Sequence, residues 1–368
     1  MSKTKVADLV RTLEALAPRA YQEEYDNSGL IAGRFDLEVT GVLVSLDCLE
    51  SVIDEAISKN CNVVVAHHPI LFKGLKRLNG NHYVERVIMK AIKNDLALYA
   101  IHTNLDNIHK GVNKKICEKL GLSNFRILLP KTDTLAKLVS FVPSANAESV
   151  LAALHEAGAG HIGNYTNCSF RTEGTGAFMP NEEADPHLGE ANRLEHVNET
   201  RIEVIFPKHL ESTIIKALKK AHPYEEVAYY LNYLANENQE IGAGMIAELP
   251  EAMAGSDFLK HLKSAMKLKC IRHTATGSKK IKKVAVCGGA GSFLIHRAIA
   301  AGADAFVSAD FKYHEFFEAD NRILIADIGH YESEIFTVEL LTDYIKENFS
   351  TFAVNFSEVV TNPVSYLT

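Results

Sequence analysis

The sequence predicts an α/β protein, on three observations. Between Val39 and Asp106, short apolar runs alternate with segments of helical spacing. The same alternation returns between Lys283 and Asn348. Between these stretches the texture changes to a Gly-rich, mixed pattern with the order β-α-β-β-α-β. Each half thus offers comparable βαβαβ material, interrupted by a module of another kind.

In the first half, Val39–Asp47 reads as a strand and Leu49–Lys59 as a helix, with Val52, Ile53, Ala56 and Ile57 on one face. Asn62-Val-Val-Val-Ala66 is the continuous β-branched run of a strand covered on both faces. His82–Asn94 then reads as a helix and Leu96–Ile101 as a strand. In the second half, strands are predicted at 283–287, 305–308 and 322–327, and helices at 292–301, 313–319 and 335–348. Right-handed crossovers would join each set.

Between the halves, Leu135–Pro143, Arg201–Phe206 and Val227–Leu231 read as strands, and 147–157 and 210–221 as helices. Gly158–Gly176 reads as a hairpin, by its glycines and the alternation of Tyr165, Cys168 and Phe170. That order is the ferredoxin-like module. Polar junctions at Pro130-Lys131 and Asn236–Gln239 bracket it. The expected organisation is a discontinuous core, 1–130 with 241–368, and an insert at 131–240.

A chain of 368 residues can bury a large core without disulfides. Its 39 Lys+Arg against 46 Asp+Glu give 39 − 46 = −7, so no global charge draws it to nucleic acid or anionic lipid. No apolar run approaches membrane-spanning length, and the opening Met-Ser-Lys-Thr-Lys-Val-Ala reads as an amphipathic helix, not a signal peptide. The six cysteines are scattered, without a Cys-x-x-Cys pair, and are read as reduced packing residues. A cytoplasmic location is expected.

The chemistry concentrates in histidine. His67-His68-Pro69 follows a strand directly, and two vicinal rings can converge only where the strand breaks, which Pro69 favours. His102 and Asp106 follow a second strand end; His330 and Glu334, past Gly329, lie one helical turn apart after a third. Strand ends of parallel sheets are where α/β sites form. Imidazoles with carboxylates suit zinc, iron, manganese or nickel. Three of these His with the two acids already exceed what one catalytic ion needs, although spacing alone leaves the number of ions open.

His67-His68-Pro-Ile-Leu-Phe, His102-Thr-Asn-Leu-Asp106, Gly329-His-Tyr-Glu-Ser-Glu334 and the early Tyr25-Asp-Asn-Ser-Gly-Leu30 together resemble the Nif-three-like family, whose members are often named GTP cyclohydrolase 1 type 2 homologs. The family commonly has Trp where Tyr25 stands and Gly in place of Ala309. The likeness runs from about residue 5 to the end, and Ala221-His-Pro-Tyr-Glu-Glu-Val-Ala-Tyr229 is similar to PII and CutA modules. The resemblance implies two divalent cations per chain, held by His67, His68, Asp106, His330 and Glu334. It also implies a toroidal homohexamer.

Asp310 and His314, just past another strand end, are read as candidates for a supporting or proton-carrying role, with a plain helix cap by Asp310 as the alternative. Cys287-Gly-Gly-Ala-Gly291 reads as a tight strand–helix turn, since it lacks the P-loop Lys. Lys73, Lys76 and Arg77 offer an anion contact or a solvated face, and Lys279–Lys283 a solvated run. No Gly-x-Ser-x-Gly nucleophile signature is present. The expected function is a metal-dependent hydrolase of a nucleotide-like or phosphorylated small molecule, by ring attack or phosphoester cleavage. The alternative is a non-catalytic metal-binding or regulatory hexamer whose insert senses a ligand.

Overall fold

A computed structural model describes residues 3–367. It is a mixed α/β structure with three sheets, and the chain divides into two compact units. One unit runs to Leu129 and resumes at Glu240; the other is Pro130–Gln239.

The first unit holds two sheets. In one, Val63–Ala66 lies parallel between Gly41–Ser45 and Ala97–Ala100, and Ala353–Phe356 from the chain's end adds parallel to Gly41–Ser45. Gly29–Ala32 closes the other edge antiparallel. In the second sheet, Lys280–Ala290, Ala305–Ala309 and Leu324–Asp327 run parallel, flanked by Arg272–His273 on one side and by Asn238–Ala254 and Ser123–Lys131 on the other.

The Val63-Val-Val65 run shows why these strands are apolar throughout. Successive side chains leave a strand on opposite faces. Val63 and Val65 enter a core cluster shared with Val284, Val286 and Val307 of the second sheet, while Val64 packs under Val52, Ile53, Val87 and Ile88 of the outer helices. With both faces covered, no position can be polar. Full burial of each valine stabilises the fold by about 1.5–3 kcal/mol. The helix Glu50–Ser58 buries Val52, Ile53 and Ala56, and the chain turns back through Asn60 at φ +55°.

The second unit is one sheet in the order Phe170–Phe178, Glu195–Pro207, Leu135–Pro143, Tyr229–Leu234, with every neighbour antiparallel. Helices Ala147–Glu156 and Glu211–Ala221 pack on one face over Leu138, Ile202, Val204 and Phe206.

Two local expectations are corrected. Gly158–Gly176 is not a hairpin: Phe170–Phe178 pairs instead with Glu195–Pro207, across a loop at 179–194, and only an Ile162–Tyr165 bridge forms inside the glycine stretch. Cross-strand pairing over a long loop leaves no short-range signal. Lys279–Lys283 is not simply solvated. Strand Lys280–Ala290 begins there, Ile281 is buried, Lys279 pairs with Asp304 at 2.6 Å, and Lys282 Nζ donates to two carbonyls. The helix expected at 335–348 forms at Thr337–Asn348, preceded by the short helix His330–Glu334 that the one-turn spacing predicts.

Candidate metal centre

The parallel strands of both sheets deliver their carboxyl ends to one place in the first unit. Val63–Ala66 ends at His67 and His68, whose rings converge to 5.0 Å between centroids. His102, after Ala97–Ala100, brings its ring to 5.4 Å from both. From the second sheet, Gly329 at φ +90° turns Leu324–Asp327 into the helix His330–Glu334, and His330 reaches 5.3 Å from His68.

Each ring is held by its Nδ1. His67 Nδ1 donates to the carbonyl of Ile101 at 2.8 Å. His68 Nδ1 meets Asp47 at 2.7 Å, His102 Nδ1 meets Asp26 at 2.8 Å, and His330 Nδ1 meets Asp310 at 2.6 Å. A neutral imidazole has one N–H, so these bonds leave Nε2 as a bare lone pair. Yet Glu334 Oε2 lies 2.9 Å from His68 Nε2, 3.1 Å from His330 Nε2 and 3.9 Å from His67 Nε2. Asp106 Oδ1 is 3.6 Å from His67 Nε2, and both atoms are buried without a hydrogen-bond partner. Lone pairs facing lone pairs repel; extra protons or a cation must stand between them.

The protonation energetics without metal say the same. Burial drives His67 down to about 3. Burial also opposes charge on His68 and His330, but Asp47 and Glu334 lift the first to about 10, and Glu334 and Asp310 the second to about 9. Burial and then the charge of Glu334 raise Asp106 well above the carboxylate range. Glu334 is pulled well below it, because hydrogen bonds from His330 and His68 overcome its burial. A cation supplies the missing positive charge directly. His67, His68 and Glu334 form a group whose donor atoms lie within 4.8 Å of one another.

The glycines of 287–291 belong to this site. A Cβ on Gly289, which stands at φ +61°, would fall 2.4 Å from Glu334 Oε1. One on Gly288 would meet Val112 at 2.8 Å and Glu334 Cγ at 3.4 Å. Backbone without side chains is what lets Glu334 enter, and Gly288 and Gly289 remain part of the strand instead of forming the expected turn.

Asp310, at φ +59° after Ala305–Ala309, orients His330; Lys312, not Asp310, caps the following turn. The structure does not bring His314 to the cluster: it is exposed, with its ring beside Tyr313 at 5.2 Å and Phe317 at 6.2 Å. Lys73, Lys76 and Arg77 sit in an exposed loop. Sequence reading misses Asp47 and Asp26 as the carboxylates behind His68 and His102. Asp47 follows a strand end, as His67 does, and Asp26 lies within the Tyr25–Leu30 stretch. A cavity of about 410 Å³ adjoins the centre, lined by His68, His330, Asp310, Arg272, Cys270 and Tyr366 among others. Thr361 Oγ1 donates to Asp47, and Asn362 to Glu332 at 3.0 Å, so Asn362, Pro363, Val364 and Tyr366 form one wall.

The model of the Duf34/NIF3 (NGG1p interacting factor 3) family matches residues 4–363. The chain belongs to the DUF34/NIF3 family. A relative from Bacillus subtilis, named GTP cyclohydrolase 1 type 2 homolog, is 40% identical over 366 residues, 98% of each chain. A relative of the same name from Staphylococcus aureus is 35% identical over 368 residues, 99% of this chain and 100% of its own. Among solved structures, a Bacillus cereus protein related to NIF3 superposes with a TM-score of 0.88 at 38% identity, covering 100% of both chains. A Staphylococcus aureus protein follows at 0.80 and 31%, also over 100% of both. Among the described residues, no helix of this NIF3 chain is long and apolar enough to cross a membrane.

Proposed function

We propose that the chain is a dinuclear metal-dependent hydrolase acting on a nucleotide-like or phosphorylated small molecule. One observation carries the reading: three imidazole nitrogens, each with Nδ1 already engaged, converge on Glu334 Oε2 beside the unpartnered Asp106 Oδ1. His67, His68, Asp106, His330 and Glu334 would hold the ions. Five donors exceed a single tetrahedral site, and a carboxylate can bridge two cations. Bound divalent ions supply Lewis acidity toward a carbonyl, ring carbon or phosphoryl group. The chain's own residues do the rest. Asp47 and Asp310 fix the two rings that border the cavity, and the half-exposed Asp310 carboxylate can take a proton from a substrate seated there. The name carried by the relatives, GTP cyclohydrolase 1 type 2 homolog, favours a nucleotide among the candidates.

The same reading includes a discontinuous core, 1–130 with 241–368, and a ferredoxin-like insert. The strand–helix–strand–strand–helix–strand order of the second unit and its antiparallel sheet support the insert. It also includes the homohexamer and a cytoplasmic location.

The test is metal analysis of the saturated, desalted protein, followed by incubation with a mixed panel of nucleotides and phosphorylated metabolites read by mass spectrometry. Close to two ions per chain are expected, with one compound consumed by the native protein and spared by His68→Ala. One ion or none would overturn the dinuclear reading. Two ions without turnover would favour a metal-binding, non-catalytic assembly.

A further inference from the structure

The second unit carries a cavity of about 830 Å³, lined wholly by residues between Phe141 and Ala228. That is the size of a small-molecule site. Its floor is the sheet face away from the helices, and its roof is the loop 179–194, tied down where the Asp185 N–H donates to Glu225 at 3.0 Å.

One residue on that floor needs explaining. Glu199 is 8% exposed and lines the cavity. Its Oε1 accepts the Tyr224 hydroxyl at 3.0 Å, and Oε2 has no hydrogen-bond partner among the described residues. No cationic side chain among them neutralises it. Arg201, its neighbour along the strand, is paired with Glu203 at 2.7 Å. His222 is occupied at both nitrogens, Nε2 donating to the Phe141 carbonyl and Nδ1 accepting the Tyr224 N–H. The opposite strand makes room for the carboxylate, since a Cβ on Gly176 would lie 2.1 Å from Oε2. Gly174 pairs directly with Glu199 and leaves the floor bare. The walls are mostly apolar and aromatic, Phe178 meeting Tyr224 edge-on at 5.8 Å with Phe141, Met179 and Leu188 beside them, and Glu173, Glu183, Glu225 and Glu226 add further acids to the lining.

A carboxylate held by a single neutral donor on the floor of such a cavity leaves its charge open to a cation that enters. Aromatic walls add attraction for positive charge, and apolar ones favour a hydrocarbon body over a bare ion. We propose that this cavity binds a small organic cation, an alkylammonium or guanidinium group on an apolar body, with Glu199 as the counter-charge. The Tyr224 hydroxyl, within the His222-Pro-Tyr-Glu-Glu226 stretch, holds that carboxylate in place. The proposal does not depend on the metal reading.

The experiment is calorimetric titration of the full-length protein with 4-phenylbutylamine, beside its alcohol and carboxylate analogues. The amine should bind at one site per chain, and the two analogues about ten- to hundredfold more weakly, the range of a charge-assisted bond. Glu199→Gln keeps an acceptor for Tyr224 and removes the charge, so it should weaken the amine by a similar factor and spare the alcohol. Gly174→Phe is the second variant. Its Cβ meets nothing within 4 Å, so the fold should tolerate a ring that fills the cavity and abolishes binding of all three compounds. Should Glu199→Gln fail to fold, Gly174→Phe and the analogue series decide. No amine binding at millimolar concentration, equal affinity for amine and alcohol, or amine affinity unchanged in the variants would overturn the proposal.

Discussion

Glu334 and Glu199 are both buried carboxylates, and their surroundings differ in kind. Glu334 faces three imidazoles and lies near a second acid, Asp106, with the rings fixed from behind by Asp47, Asp310 and a backbone carbonyl. Glu199 faces one phenol and an apolar cavity. Both attract positive charge, but the first site offers many hard and borderline donors in a small volume and the second offers one buried acid, further acids on its lining and a large, mostly apolar surface. A dense, converging donor set selects an inorganic ion; a buried acid beside a large, mostly apolar volume selects an organic cation.

The sharpest way to break this contrast is Glu334→Gln. Removing the shared charge leaves the imidazoles and Asp106 without their common partner, a loss of about 3–5 kcal/mol for a broken buried pair. Metal affinity should fall by roughly two to four orders of magnitude on the same scale. Elemental analysis after desalting reads it, and full occupancy would show that Glu334 is not a ligand. Amine binding at Glu199 should be untouched.

Smaller effects follow from the carboxylates behind the rings. Asp47→Asn and Asp310→Asn should each weaken metal binding by about 10- to 100-fold while the protein stays folded. Competition with a chelator measures this, and unchanged affinity would mean that ring orientation is fixed by packing alone.

The metal-free protein should respond to pH in a defined direction. His68 and His330 have folded values raised to about 10 and about 9, so their stabilising charge is fully present below the free-histidine value near 6.5 and is lost as pH rises through 9–10. Chelated protein should therefore melt progressively lower from about pH 6.5 to 10. Metal-loaded protein should lose less over that interval, because the ions replace the protons. Parallel melting curves would argue that no cation enters the cluster.

The smallest effect on the metal centre should come from removing residues 130–239 altogether. Strands Ser123–Lys131 and Asn238–Ala254 are neighbours in one sheet, so a short Gly/Ser linker should join the cut ends. The shortened chain should hold as much metal as the whole and bind no amine. An insoluble or metal-free product with every linker tried would make the second unit part of the core.

Several of these residues are legible in the sequence alone. His67, His68, His102, Asp106, His330 and Glu334 stand out because strand ends are marked by a change from β-branched residues to polar ones, a signal contained within a few neighbours; the narrower ligand set without His102 is what the family resemblance implies. Both flanking βαβ patterns are legible for the same reason. Asp47 lies at an equivalent strand end and escapes notice, since a lone aspartate there looks like any turn residue.

What the amino-acid order determines unaided is therefore local: which segments are strands and helices, and which polar side chains terminate them. Only the tertiary structure decides which ends meet. It places Asp26 behind His102, puts Gly289 against Glu334, leaves His314 exposed beside Tyr313 and Phe317, and pairs Phe170–Phe178 with Glu195–Pro207 across a loop. Each of these depends on contacts between residues whose meeting is set by how whole sheets and loops pack. Side-chain periodicity within a segment carries no record of such contacts.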